Sequence, residues 1–311
     1  DLHAHNSSVR LKLFAVLLMA AAVGAQTSLV DQVRALSSKG DFAGADRLVE
    51  AYRARAGADV DYAFAVSWEG RNALAQKQLD RAEQYADRAR DASLALLKKR
   101  KLDAEKTLPL ALGASIEVHG QVMAARGERS SAVGFLQGEL KKYAGTSLVE
   151  RISKNINLLS LEGKPAPSLD AAEWIGAKPP ALASYKGKPV LVFFWAHWCV
   201  DCKAQMPILA NLQKKYGARV QLLAPTRYYG YVEGGADAVK AVEKPYIQQV
   251  RDRYYPTMAN TPIPLSNTIF EVYGCSSTPT LALIDKQGIV RWYHPGNASE
   301  AELVQRIEAL L

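Results

Sequence analysis

One junction constrains this chain more than any other stretch. Val190 to Trp195 is an unbroken apolar run, the pattern of a central strand buried on both faces. Ala196-His197-Trp198 interrupts it, and Cys199-Val200-Asp201-Cys202 follows. Beyond Lys203, Met206, Leu209, Leu212 and Tyr216 recur at helical spacing, so both cysteines stand where a strand hands over to a helix. A helix N-terminus presents unpaired N–H groups and partial positive charge. Such a site stabilises a thiolate and draws its pKa toward neutrality. Two thiols on one first turn also close a small ring, in which one attacks a disulfide and the other resolves the mixed disulfide. Cys199 stands nearer the helix start, behind a tryptophan loop, and is the expected nucleophile. Cys202 is the expected resolving thiol.

A bare C-x-x-C also serves as half a zinc site or as a pair of buried structural thiols. Structural zinc takes four ligands, and the chain carries no second C-x-x-C and no H-x3-H. Haem attachment needs His after the second cysteine, and Lys203 stands there. With 3 cysteines in all, the chain is no disulfide-stapled scaffold. The third, Cys275, reads as a small buried hydrophobe; pairing with Cys199 would need Cα atoms within about 7 Å.

The surroundings narrow the choice. Trp195-Ala196-x-Trp198-Cys199-x-x-Cys202-Lys203 resembles the active-site motif of the thioredoxin superfamily. Pro207 matches that family's helix-kinking proline, and Ser277-Thr278-Pro279-Thr280 resembles its cis-proline segment. Gly163-Lys164-Pro165-Ala166-Pro167 and Tyr185-Lys186-Gly187-Lys188-Pro189 resemble the lead-in of the TlpA/ResA group of exported disulfide reductases. The resemblance covers 161–311. It implies an α/β thioredoxin-like fold with a mixed central sheet flanked by helices. It also implies an exported thiol–disulfide oxidoreductase that reduces protein disulfides, draws electrons from an unidentified thiol donor, and needs neither cofactor nor metal. Pro279 would be cis and face the cysteines, and Thr278 would offer its backbone to an extended substrate strand. Trp195 and Trp198 would pack beneath and beside the sulfurs and bind substrate.

Two family acids are missing. Thioredoxins carry a buried acid where this chain has Phe193, and ResA-like proteins a glutamate where it has Gln205. Both acids carry protons for the resolving thiol in their families, so the proton route here is open. Asp201, inside the motif, and His197, two residues before Cys199, are the nearby candidates for proton transfer or pKa tuning. A charged Asp201 opposes a thiolate, while a protonated His197 favours it. Three rival functions remain. A thiol peroxidase of the same fold needs Thr or Pro where Ala196 stands. A copper chaperone using Cys199, Cys202 and His294 would want a longer cysteine spacing. A vestigial redox fold serving as an adaptor would not need intact Cys199, Cys202 and Pro279.

Upstream of 161 the chain is of another kind. Arg10 and Lys12 precede the apolar run Leu13 to Val23, and Val23-Gly24-Ala25 offers small residues before Gln26. This is the layout of a secretory signal peptide, with an uncleaved anchor as the alternative. Asp1 to Ser8 do not fit a signal, and Val9 is the expected initiator position; 1–25 are thus leader and signal. Residues 26–160 are rich in Ala, Leu, Arg and Glu without β-like alternation, and read as an all-α domain. Gly40-x-Phe42-x-x-Ala45 recurs as Lys77-x-Leu79-x-x-Ala82 and Gly127-x-Arg129-x-x-Ala132, with Gly70 and Gly120 seven residues before the last two. The pattern resembles tetratricopeptide repeats at irregular steps. The charged segment Ala92 to Lys106 reads as a helix extension or insertion, and His119 as a packed or surface residue. Net charge is +8, spread thin and without a basic run interleaved with aromatics, which argues against nucleic acid. The helical domain is expected to recruit a protein partner or mediate self-association. The domain 161–311 is expected to fold and reduce small disulfides without it.

Between the active-site helix and Pro279 the chain is longer than a minimal thioredoxin fold requires. Val220 to Leu223 reads as a strand, followed by Tyr228-Tyr229-Gly230-Tyr231 and a helix around Ala236 to Tyr254. Insertions beside an active site shape substrate choice, though packing is the plainer role for the tyrosines. Leu281 to Asp285 and Ile289 to His294 read as strands, and Ser299 as the N-cap of the last helix.

Overall fold

The computed structural model describes residues 28–311; the leader and signal-peptide reading of 1–25 falls outside them. Six helices form three antiparallel pairs: α1 (Leu29–Ser38) with α2 (Phe42–Ala56), α3 (Val60–Ala75) with α4 (Leu79–Leu97), and α5 (Leu108–Ala125) with α6 (Arg129–Lys142). The recurring sequence motif marks the turn within each pair. Gly40, Lys77 and Gly127 take φ of 85°, 59° and 90°, which reverses the chain and frees the second helix to fold back. Ala45, Ala82 and Ala132, on the second helix of each pair, are fully buried. A Cβ on Gly120 would stand 3.0 Å from the Leu136 side chain, so glycine eases the close approach of α5 and α6 there. The segment 92–106 is part helix extension and part linker: α4 ends at Leu97, and Leu102 in a short 3-10 turn (Leu102–Ala104) plugs into the core.

The second half is an α/β thioredoxin-like layer structure. Its elements are β1 (Glu173–Ile175), β2 (Val190–Phe194), α8 (Val200–Tyr216), β3 (Gln221–Leu223), α9 (Lys240–Tyr254), β4 (Ile263–Leu265), α10 (Asn267–Tyr273), β5 (Thr280–Ile284), β6 (Val290–Pro295) and α11 (Glu300–Glu308). For continuity, α7 (Val149–Ser160) joins the halves. The main sheet runs β3-β2-β5-β6, with β2 parallel to β3, antiparallel to β5, and β5 antiparallel to β6; β1 and β4 form a separate antiparallel pair. Every residue of β2 and β5 is buried. Alternation sends Leu191, Phe193, Leu281 and Leu283 to the face covered by Met206, Leu209, Leu303 and Ile307 of α8 and α11. Val192, Phe194, Ala282 and Ile284 pack on the other face against Ile269, Phe270 and Tyr273 of α10. Ser299 caps α11 by accepting from Glu302 N. α9 starts at Lys240, later than the Ala236 expected, because Gly234 and Gly235 (φ 72° and 78°) hold the preceding loop in a turn closed by the Tyr231–Asp237 bridge.

The helix α7 binds the halves together. Gly274, at the end of α10, sits so close to it that a Cβ there would lie 2.1 Å from Lys154 N. Glu150 pairs with the partly buried Arg227 guanidinium, Asn157 Nδ2 donates to Val272 O at 3.0 Å, and Leu161 joins the core beneath β6. A cut at 161 would strip this packed helix from α10 and take Glu150 away from Arg227, contacts that bear on the expectation that 161–311 folds alone.

One buried acid in the helical half carries a pH signature. Glu69 on α3 is fully buried, and neither carboxylate oxygen has a hydrogen-bond partner. Burial, reinforced by Asp46, pushes its pKa up to about 8 despite Arg88 nearby. The folded pKa exceeds the unfolded value of about 4.3, so the stabilising contribution of the neutral form is complete below pH ~4.3 and is lost as pH rises through 8. Glu69→Gln cannot ionise. Its Tm should match wild type within a few degrees at pH 5 and exceed it at pH 9, by a stability gap on the order of a few kcal/mol. A gap that is the same at both pH values would contradict this reading.

Candidate active site

The sheet and α8 place the cysteines. β2 ends at Phe194, and Trp195 continues into a loop that is held from several sides. Trp195 N donates to Pro225 O at 3.2 Å, Thr226 Oγ1 donates to Trp195 O at 2.7 Å, and Cys199 N donates to Ala196 O at 3.1 Å. Cys199 is the N-cap residue of α8, its Sγ accepting from Cys202 N at 3.0 Å. The two sulfurs are joined as a disulfide, with Cα atoms 5.2 Å apart. Cys199 is 2% exposed and Cys202 wholly buried, whereas Trp198 is 46% and Val200 76% exposed. The ring thus lies just beneath the surface, under an apolar rim.

The Thr278–Pro279 peptide is cis. The register pairs Phe194 with Thr280, which carries Pro279 to the end of the sheet where Trp195 opens the cysteine loop. Pro279 O is taken by Gly296 N at 2.8 Å, and Thr278 Oγ1 is buried without a partner. Ser276 and Ser277, just before, are exposed.

Trp195 requires a correction. It has no exposed surface; its indole N–H donates to Ala224 O at 2.9 Å and its ring packs on Tyr255 with centroids 4.8 Å apart. It supports the loop from beneath and offers nothing to a substrate, so of the two tryptophans only Trp198 is presented. Phe193 is buried in the core, and Gln205 bridges α8 to the start of α11, Nε2 donating to Ala298 O at 3.0 Å and Oε1 accepting from Ala298 N at 2.9 Å. Asp201 is exposed on the first turn of α8.

His197 is placed quite differently. It is 2% exposed, with Glu243 Oε1 3.3 Å from Nε2 and the rings of Tyr229, Tyr231 and Tyr246 edge-on at 5.3–5.4 Å. Glu243 is itself buried and accepts from Tyr229 N at 2.6 Å and Gly230 N at 2.9 Å. Burial lowers the His197 pKa, and Glu243 opposes that shift. Glu243 comes from the inserted helix α9, and nothing in its local sequence pairs it with His197. Along α9 it is buried together with Ile247, Val250 and Arg251, the one acid among them.

Cys275 is buried, and burial pushes its thiol pKa well up, so it is a poor thiolate. His294 stacks on Trp292 with its Nε2 3.0 Å from Asn297 O. Among the described residues no cluster of three or more His, Cys, Asp or Glu side chains has metal-binding geometry.

Residues 161–311 match the Redoxin family model. This half of the chain is a Redoxin domain. The thioredoxin-like protein YneN of Bacillus subtilis is 29% identical over 175 residues, covering 56% of this chain and 95% of that protein. The thiol-disulfide oxidoreductase ResA of Bacillus thuringiensis subsp. konkukian is 29% identical over 149 residues, covering 48% and 78%. Among solved structures, the exposed lipoprotein thioredoxin Etrx1 of Streptococcus pneumoniae is 30% identical, with 42% of this chain and 91% of that one covered and a TM-score of 0.35. The Redoxin domain carries the cysteine pair, the cis peptide and the inserted helix α9; no helix among the described residues is long and apolar enough to cross a membrane.

Proposed function

We propose that this chain is an exported thiol–disulfide oxidoreductase that reduces protein disulfides. The observation that carries the reading is a disulfide whose outer sulfur caps the N-terminus of α8, at the same end of the sheet as the cis Thr278–Pro279 peptide. In the reduced pair, Cys199 as thiolate attacks one substrate sulfur; the substrate S–S bond breaks and the departing sulfur leaves as a thiolate that takes up a proton. Cys202, deprotonated, then attacks the Cys199 sulfur, the Cys199–Cys202 bond forms and the second substrate thiol is released. Two electrons pass from protein to substrate, and an external thiol donor restores the pair by the reverse exchange. Backbone donors stabilise the Cys199 thiolate: the Cys202 N–H already points at its sulfur. Pro279 and Thr278 would align an extended substrate segment, and Trp198 would cover it.

The helical half adds a wall to this approach. A groove of about 830 Å3 runs between the halves, lined by cations (Lys106, Arg151) and acids (Asp103, Glu150) of the helical half and by Ser276 and Ser277 of the cis-proline loop. Recruitment of a protein substrate, or self-association, is the role proposed for 26–160, with the boundary to the redox domain near 161. The segment 1–25 is proposed to direct export into an oxidising compartment. Turnover of insulin disulfides by the full mature chain with a thiol donor tests the activity. Acceleration over donor alone is expected; none would refute the assignment.

A further inference from the structure

We propose that His197 and Glu243 form a redox-linked protonation pair: reduction of the Cys199–Cys202 disulfide charges His197, and the charged imidazole in turn favours the Cys199 thiolate. This deepens the oxidoreductase reading and rests on it. Glu243 is then a positioning residue, acting on the sulfur through His197.

Three observations carry it. First, His197 is enclosed and unsatisfied. Neither ring nitrogen has an aligned hydrogen bond, although Nε2 lies only 3.3 Å from Glu243 Oε1. A buried polar group without a partner is costly and calls for a reason. A proton on the imidazole would convert the same contact into a charge-assisted one. Second, the pair is beside the chemistry. Consecutive Cα atoms are about 3.8 Å apart, so His197 and Cys199 Cα atoms stand within about 8 Å. With His197 and Cys199 each only 2% exposed, charges at that range shift one another's pKa. Third, the acids that the family places at Phe193 and Gln205 are absent, and both side chains are committed to packing or to Ala298. Glu243 is the buried carboxylate that the insertion brings to this place.

The groups facing His197 from each packed element are few. They are Glu243 and Tyr246 of α9, Tyr229 and Tyr231 of the preceding loop, and Lys203 of α8, which opposes a charge on the imidazole. The tyrosine hydroxyls stay neutral near pH 7; the Tyr229 pKa lies far above its ordinary value. In the oxidised protein no thiolate exists, and burial disfavours the charged imidazole while Glu243 opposes that effect. On reduction, two electrons and two protons enter; the Cys199 proton passes from the sulfur by way of solvent to His197, leaving a thiolate, an imidazolium and the Glu243 carboxylate.

Linkage makes the proposal testable in the unaltered protein, because the effect of thiolate on imidazole equals that of imidazolium on thiol. Imidazole NMR titration of the full chain in both redox states, with the His197 signal assigned by its loss in His197→Gln, should show the His197 pKa rising by about one unit on reduction, a tenfold change in its proton affinity. A value unchanged within about 0.3 unit would overturn the proposal. In Glu243→Gln, alkylation of Cys199 by iodoacetamide below its pKa should slow roughly tenfold. Unchanged alkylation in a natively folded Glu243→Gln would reduce Glu243 to a clasp for the Tyr229–Gly230 loop and overturn its part. Should that variant not fold, the wild-type titration alone decides. Insulin turnover on the same samples separates the failures: turnover with an unmoved His197 sinks this proposal alone, whereas no turnover sinks the oxidoreductase reading.

Discussion

Cys199→Ser should lose insulin reduction by a factor of about 10⁴ or more, since a hydroxyl at the cap of α8 remains protonated and cannot attack a disulfide at neutral pH. Cys202→Ser should behave in another way. It retains the nucleophile but cannot resolve the adduct, so it should accumulate a mixed disulfide through Cys199, visible by non-reducing electrophoresis and mass spectrometry. The asymmetry follows from placement. Cys199 borders the exposed Trp198 and Val200, and Cys202 is wholly buried beneath it. If Cys199→Ser accumulated the adduct and Cys202→Ser did not, the roles assigned to the two sulfurs would be reversed.

Gly274→Ala should destabilise the protein on the order of 3 kcal/mol or more, a shift of roughly 10 °C in Tm. Its φ of 63° disfavours any side chain. Steric overlap costs more than the backbone conformation, because the new Cβ would fall 2.1 Å from Lys154 N and 2.6 Å from Ser153 C, both backbone atoms of α7. Neither can yield without moving the helix. The same interface governs truncation. A chain cut at 161 leaves the partly buried Arg227 without Glu150 and uncovers the face of α10 that α7 shields. The 161–311 piece should melt well below the redox half of the full chain. Equal melting temperatures, or a Gly274→Ala protein as stable as wild type, would mean that the halves fold independently.

Much of this was legible in the sequence, for identifiable reasons. The apolar run before Cys199 and the helical period after it fix a strand–helix junction, because burial on both faces and period 3.6 are direct physical signatures. The recurring motif that begins at Gly40, Lys77 and Gly127 pointed to paired helices as a repeat; that these residues reverse the chain at positive φ, Lys77 at 59°, is a property of the fold. Long-range pairing was hidden. Nothing near Glu243 in the sequence says that α9 folds back onto His197, nor that Glu150 on α7 meets Arg227. Those contacts arise from tertiary packing between segments far apart in the chain. Trp195 and Trp198 look alike as letters, yet strand register turns one into the core and leaves the other at the rim. Independence of 161–311 was expected from its complete set of elements; α7 docking is a property of surfaces, which composition does not display.

The central claim is that Cys199 and Cys202 exchange two electrons reversibly with external thiols. Equilibrating the full mature chain against dithiothreitol and glutathione buffers, with alkylation and mass spectrometry to count free thiols, tests it most directly. We predict one transition with a tenfold change in the equilibrium constant per ~30 mV, the slope of a two-electron couple, and a midpoint closer to the roughly −270 mV of a thioredoxin than to the roughly −120 mV of a strong oxidant. A pair that stays fully oxidised or fully reduced across that range, or a midpoint near −120 mV, would contradict the account of a disulfide reductase.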